Sequence, residues 1–407
     1  MIYNQLKRIE SKIGTENMKY FKDFSNFGLW YFVSAFIAML STVIVNSSLV
    51  PEELGHYSYN KSVLDLFSTI LSFTIYKSYL RFNTKGVSTV LKKLVYKITL
   101  VGGILLAGVA IVLTKNIIAI PFALLMAYDE RFYFTRSVMD VKSVNKIRMI
   151  PVTITFLLIA IMFLLKIEIK GDYILLAYGV GYAYTILFYG KKYPTVDDKG
   201  SLKISTILKF SLPGFAIFVV NWLINLYGQV VIKEMYGYAD VAKISIAQRS
   251  VLVIHLFSSL MLTFYPMVYY RIIEKKDKRS LLLLRSSMSF VIIVVGLFSF
   301  FFAELIYRIL GASQYMDYVL YFRILVISSV IHTIASFYGN YLGYALKTYI
   351  SLIICAIGAA VNVIMLHLLM PTYGLGVVAI AILSANIIMA LLMFATAYRM
   401  EQKYMRS

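Results

Sequence analysis

The sequence places an arginine where hydrocarbon is expected. Arg249 lies in a predominantly apolar stretch from residue 242 to 267, next to Gln248 and about two turns before His255. A guanidinium does not lose its charge in a protein. A charge at mid-bilayer costs roughly 2.5–3.5 kcal/mol on insertion scales, so it faces a cavity or a partner. Asp65 is a second such group, in the stretch 60–80, with Lys61 one turn before it. It is expected either to bind a coupling cation, Na+ or H+, or to form an ion pair with Lys61 or Arg249. Other polar groups recur at helical spacing. Asp65, Thr69, Ser72, Tyr76 and Tyr79 share one face. Asn221, Asn225 and Gln229 form an i, i+4, i+8 row, as do His332, Ser336 and Asn340. Ser245, Gln248, Arg249, His255 and Ser259 mark another face. Rows of this kind on several helices fit a wet central cavity. They fit interhelical glue equally, at about 0.6 kcal/mol per bond.

The elements that carry these residues are long apolar runs. A helix needs about 20 apolar residues to span a bilayer. Twelve runs qualify, near residues 25–49, 60–80, 95–114, 117–135, 149–166, 173–190, 210–232, 242–267, 286–306, 318–345, 348–370 and 376–398. The predicted fold class is therefore an all-α integral membrane protein of about twelve transmembrane helices. Lys and Arg alternate across the connections: 29 fall on one side, from Lys7 to Arg406, against Lys115, Lys170, Lys233 and Arg308 on the other. The positive-inside rule then predicts a multi-pass membrane protein with both termini cytoplasmic.

The formal net charge of +20 is accordingly an orientation signal. Nucleic-acid binding would need that charge gathered on one soluble domain, and the spans leave no room for one. The first 24 residues are too polar for a signal peptide, so the first span is expected to stay in the membrane. Cys355 is the single cysteine, which excludes an internal disulfide and a Cys-based metal site. No phosphate-binding loop, zinc-protease helix or nucleophile elbow occurs. His56, His255, His332 and His367 show no ligand spacing. No catalytic residue, metal or resident cofactor is expected.

The chain also repeats itself. Gly55 lies 28 residues after Phe27 and Gly237 lies 27 after Phe210; Lys61 and Lys243 each follow their glycine by six. The longest polar connection between spans, residues 191–209, separates two sets of six spans. The expected organisation is an N-terminal six-helix bundle over 1–190, a cytoplasmic linker over 191–209 and a C-terminal six-helix bundle over 210–407. Six-span halves repeat in parallel, about an axis along the membrane normal.

These features resemble a known family. The twelve spans, the two halves, the loop Pro51-Glu52-Glu53-Leu54-Gly55-His56-Tyr57-Ser58, the segment Lys209-Phe210-Ser211-Leu212-Pro213 and the Gly237 loop are similar to those of Wzx-type polysaccharide flippases. That family belongs to the multidrug/oligosaccharidyl-lipid/polysaccharide exporter superfamily. One departure is clear: many relatives carry an Asp-Arg pair late in the seventh span, where this chain reads Gly228-Gln229. The resemblance implies that an undecaprenyl-diphosphate-linked oligosaccharide, such as an O-antigen precursor, is flipped from inner to outer leaflet. Arg249, Lys243 and Lys61 would neutralise the diphosphate. Gln248, His255, Asn221, Asn225 and Gln229 would bind the glycan, and Asp65 would couple a cation. Membrane lipid and other polysaccharide-assembly proteins are the implied partners. A drug or small-molecule antiporter of the same superfamily, or a membrane glycan polymerase, are the alternatives. The first would favour acids in its cavity, and the second a large external loop.

Overall fold

The computed structural model describes residues 15–82, 87–138, 141–189, 195–196 and 203–406. The helices are α1 (Thr15–Ser48), α2 (Pro51–Ser72), α3 (Thr89–Thr114), α4 (Leu125–Ser137), α5 (Val141–Leu164), α6 (Gly171–Phe188), α7 (Ile204–Asn225) and α8 (Tyr227–Tyr236). They continue as α9 (Tyr238–Ser250), α10 (Leu252–Glu274), α11 (Lys278–Phe301), α12 (Ala303–Ile309), α13 (Val319–Tyr344), α14 (Thr348–Tyr373), α15 (Gly376–Met393) and α16 (Arg399–Arg406). A one-turn π segment joins α15 to α16. A two-residue parallel pairing, Val87 with Thr195 and Ser88 with Val196, is the only β structure among the described residues. Much of the expected linker, residues 191–194 and 197–202, lies outside the described residues. Its last part, 204–209, is helical and opens α7.

Among the described residues, eight helical segments are long and apolar enough to cross a bilayer, and α9 with α10, bent by 45°, make a ninth if the pair is taken as one span. The other three expected spans fall short for readable reasons. Helix α2 carries Lys61 and Asp65. The fourth span is split between a 3-10 segment, Ile117–Leu124, containing Pro121, and α4 with Asp129, Glu130 and Arg131. Helix α6 is diluted by Tyr173, Tyr178, Tyr182 and Tyr184. All three are held by neighbours rather than by hydropathy. A Cβ on Gly179 would overlap Pro121, and one on Gly181 would lie 2.8 Å from Pro151 Cα. Small residues let backbones approach closely, which is how membrane helices pack without a hydrophobic drive between them. Around that contact Tyr182 stacks on Tyr128 at 4.9 Å. The large exposed apolar side chains, such as Leu100 and Ile104 of α3 and Leu283 and Phe290 of α11, mark the lipid-facing side.

Three breaks shape the centre. Helix α2 starts favourably, with Pro51 in its first turn and Glu52 and Glu53 at the positive end of its dipole. It stops at Phe73 and Thr74, both left-handed (φ 47° and 48°). Tyr76 and Tyr79 therefore do not continue the face of Asp65, Thr69 and Ser72; Tyr79 turns away to donate to Glu130 at 3.0 Å. Helix α7 ends at Asn225, and Leu226 (φ −122°, ψ −19°) breaks the expected row of Asn221, Asn225 and Gln229. The eighth span bends at Val251, between Arg249 and His255.

The segment Pro51–Ser58, expected as a loop, instead opens α2, and it meets the Gly237 turn. Gly55 of α2 rests directly on the backbone of α9, where a Cβ would overlap the carbonyl oxygen of Tyr238. Gly237 turns the chain into α9 with φ 90°, a conformation glycine adopts at no steric cost. His56 and Tyr59 close around the contact, their rings 5.0 and 5.8 Å from that of Tyr238.

The C-terminal half is tied by a buried ion pair. Arg285 of α11 donates two bonds to Glu401 of α16, at 3.1 and 2.7 Å. Tyr269 donates a third to the same carboxylate at 2.6 Å. Tyr338 lies face-on to the guanidinium at 4.1 Å. In the sequence Arg285 reads only as an orientation charge, because its partner is 116 residues away.

Two outcomes follow from this packing. Gly55→Ala forces α2 from α9 and costs about 1–3 kcal/mol, as overpacking does. The purified protein should melt several degrees lower, while Gly108→Ala, which meets nothing within 4 Å, should leave the melt unchanged. Glu401→Ala strands a buried guanidinium and should cost about 3–5 kcal/mol. The double variant Arg285→Met, Glu401→Met should recover much of that loss in the same melting experiment.

Candidate functional site

Below the Gly55 contact the two halves separate enough to leave a polar cavity of about 210 Å³. Its wall is made by Ser58, Lys61, Ser62 and Asp65 of α2, Leu226 at the α7 break, Gln229 of α8, and Ser245, Gln248 and Arg249 of α9. The breaks are what make this wall. Because α7 stops at Asn225, Gln229 swings inward and donates to Gln248 Oε1 at 2.7 Å. Gln248 in turn donates to the Asn225 carbonyl, freed by the end of the helix, at 2.6 Å. Trp222 fixes α7 to α2 by donating its indole N–H to the Ser62 carbonyl at 2.9 Å.

The charges are arranged unevenly. Lys61 Nζ lies 2.7 Å from Asp65 Oδ2, an i, i+4 pair with each side chain 31 % exposed. Arg249 does not join them. Its Nη2 donates to Ser58 Oγ at 2.6 Å, its Nη1 makes a long 3.5 Å contact with Asn46 Oδ1, and its guanidinium lies over the Tyr57 ring at 4.9 Å. Ser58 and Asp65 are two turns apart on α2, roughly 10 Å, and Lys61 already occupies the carboxylate. The expected alternative of an Arg249–Asp65 pair is thus not formed. No carboxylate lies within ion-pair distance of Arg249 among the described residues, so the cavity carries two cations against one anion. Gln229 Oε1 and Ser245 Oγ are buried at this wall without a hydrogen-bond partner among the described residues. A polar ligand supplies what such atoms lack.

Two further cavities meet this one. A second polar space, about 300 Å³, lies within the C-terminal half and is lined by Asn225, Gln248, His255, Ser258, His332 and Asn386, among others. Gln248 and Leu226 belong to both spaces. An apolar cleft of about 280 Å³ runs between α1 and α10. Phe32, Phe36 and Met39 form one wall and Leu252, Leu256 and Phe257 the other. Arg249 belongs to this cleft and to the polar cavity alike.

The structure therefore brings together Lys61, Asp65, Gln229, Gln248 and Arg249, and adds Asn225 and His255 through Gln248. It leaves out two expected residues. Lys243 pairs with Asp240 at 2.5 Å and lies over the Tyr318 ring at 5.1 Å. Six residues of helix turn it to another side of α9 from Arg249. Asn221 lines neither polar cavity, one turn before the helix end that borders them; its carbonyl accepts from Asn225 Nδ2 at 2.9 Å. In α13, Ser336 and Asn340 bond to their own helix backbone, and His332 of that row lines the second polar space. Ser58 and Asn46, which hold Arg249, were not anticipated from sequence. Ser58 closes the Pro51–Ser58 loop motif, but nothing in the pattern distinguishes Asn46. No cluster of His, Cys, Asp and Glu fit to hold a metal occurs among the described residues.

No family model matches the sequence, and no curated protein matches it. Solved structures do match over nearly the whole chain. An inward-facing multidrug resistance MATE family transporter of the MOP superfamily aligns with TM-score 0.66 at 15 % identity, covering 92 % of this chain and 96 % of that one. The MATE multidrug transporter DinF-BH aligns with TM-score 0.65 at 14 % identity, over 93 % and 95 %. The lipid II flippase MurJ, in an inward closed conformation, aligns with TM-score 0.63 at 13 % identity, over 91 % and 87 %. At such identities the likeness is one of fold: this chain is an all-α, multi-pass membrane protein of about twelve helices in two six-helix bundles, built as MATE transporters and MurJ are built.

Proposed function

We propose that the protein flips an undecaprenyl-diphosphate-linked oligosaccharide from the inner to the outer leaflet for surface polysaccharide synthesis. The observation that carries this reading is the position of Arg249. Its guanidinium belongs both to the polar cavity between the halves and to the apolar cleft between α1 and α10. A cargo with a hydrophobic tail, an anionic diphosphate and a hydroxyl-rich glycan needs that order of surroundings. The tail lies in the cleft and toward lipid, the diphosphate at Arg249 and Lys61, and the sugars along Gln229, Ser245 and Gln248. Arg249 can present two parallel N–H bonds to phosphate oxygens.

In this reading Lys61 and Asp65 act as a switch. With no cargo they neutralise each other at 2.7 Å. When phosphate engages Lys61, Asp65 loses its counter-ion and takes Na+ or H+ instead. The halves then rock about the Gly55 contact, exposing the cavity to the other side. Both termini are cytoplasmic in this scheme, as the distribution of basic residues requires.

An antiporter for cationic drugs is the competing reading, and the likeness to multidrug transporters is what favours it. Its weakness is that the one carboxylate of the interlobe cavity is already paired, leaving Arg249 as the excess charge.

Export of lipid-linked glycan in cells decides between them. Arg249→Ala should abolish export at normal protein abundance, and Arg249→Lys should restore only part, because an ammonium lacks the fork. Adding Asp65→Ala to Arg249→Ala should not restore export, since the two are not paired. Unimpaired glycan export in Arg249→Ala, with altered tolerance to cationic drugs, would establish the antiporter instead. Asp65→Asn should separate coupling from binding: cargo binding persists in detergent, while gradient-driven flipping in vesicles is lost. Normal flipping by Asp65→Asn would remove its coupling role.

A further inference from the structure

A large cavity lies away from the central site. It is a groove of about 1010 Å³ on the lipid-facing side of the N-terminal half, between α3 and the 3-10 segment that leads into α4. None of its lining residues borders the interlobe cavity. It exists because the facing positions are small: Gly103 and Ala107 on α3 oppose Ala123 and Ala127. A Cβ on Gly103 would meet only the Ala123 carbonyl, at 3.9 Å. The prolyl residue Pro121 and the 3-10 turn keep this side of the fourth span from closing against α3 as a regular helix would.

The groove is polar at one end only. Lys92 and Lys93 stand near the start of α3, and Arg131, in the middle of α4, lines the same end. Glu130 is the single carboxylate there, and it accepts a 3.0 Å bond from Tyr79. The end thus holds three cations against one anion. Tyr96, 62 % exposed, sits one turn further along, where an interfacial aromatic belongs. Beyond it the walls are apolar from Leu100 to Ala107, and from Lys92 to Ala107 the groove follows α3 for roughly 22 Å. By the charge rule the basic end is the cytoplasmic one.

We propose that this groove is a binding site for one anionic glycerophospholipid of the inner leaflet. The phosphodiester is held between Lys92, Lys93 and Arg131, and an acyl chain lies along Gly103 and Ala107. The chemistry matches at both ends: clustered basic groups at the membrane surface attract anionic headgroups, and the glycine leaves open a channel of chain width. The site is independent of the transport reading, because it shares no residue with the cargo cavity.

Native mass spectrometry of the full-length protein, released from bilayers of equal phosphatidylglycerol and phosphatidylcholine, tests this. The wild type should retain one phosphatidylglycerol in preference to phosphatidylcholine. Lys92→Gln, Lys93→Gln, Arg131→Gln together should reduce that preference by roughly tenfold or more. The charge-conserving set Lys92→Arg, Lys93→Arg, Arg131→Lys should keep it, which separates lost charge from lost fold. Gly103→Leu fills the groove and should abolish retention of either lipid, whereas Gly108→Leu, on open lipid-facing surface, should not. Equal retention of the two lipids by the wild type, an unchanged preference in the neutralised variant, or full retention in Gly103→Leu would overturn the proposal. Retention of the polyprenyl carrier in place of phospholipid would overturn it as well.

Discussion

Backbone touches backbone where α2 crosses α9, and the rest of the interior is arranged around that approach. A glycine at position 55 is the condition for it, since any side chain would occupy the space of the Tyr238 carbonyl. The contact brings the polar faces of two corresponding spans within reach of each other. Only then can Arg249 of one half donate to Ser58 of the other, and Trp222 to Ser62. Away from the contact the helices diverge, and the space they leave is lined by the groups that neither half could solvate alone.

The helix breaks complete this design. An unbroken α7 would project Asn225 and Gln229 along one line and satisfy its own carbonyls. Ending it at Asn225 releases a carbonyl for Gln248 and turns Gln229 inward. In hydrocarbon a broken helix is tolerated only where it borders protein or a wet cavity. Leu226 meets that condition, bordering both polar spaces. The bend at Val251 does the corresponding work for the eighth span. It separates Arg249, at the junction of polar cavity and apolar cleft, from His255 in the second polar space.

The fold class was legible in the sequence because apolar length and the sidedness of Lys and Arg are local properties. Lys61 with Asp65 was legible for the same reason, being one helical turn apart. Arg249, Gln248 and Gln229 stood out as polar groups in apolar runs, and the structure gathers them. What could not be read were the breaks. Leu226, Val251 and the Phe73–Thr74 pair have no proline or left-handed glycine beside them, so helical periodicity runs straight through: it sets Gln229 in line with Asn221 and Asn225, and Tyr76 and Tyr79 in line with Asp65. Lys243 stands apart from Arg249, because matched spacing from a glycine says nothing about which side of a helix a residue occupies. Asn46 was missed because a single polar residue near a span end has no pattern to betray it.

The Arg285–Glu401 pair also sets an order in time. Synthesis proceeds from the N-terminus at about 5–20 residues per second. Arg285 is therefore made about 6–23 seconds before Glu401, 116 residues later. During that interval the guanidinium must remain at the interface or borrow a lipid phosphate. The C-terminal half can lock only when the last helix arrives. A nascent chain thus carries its own completion signal: a cation kept waiting at the membrane surface until the final carboxylate withdraws it into the protein.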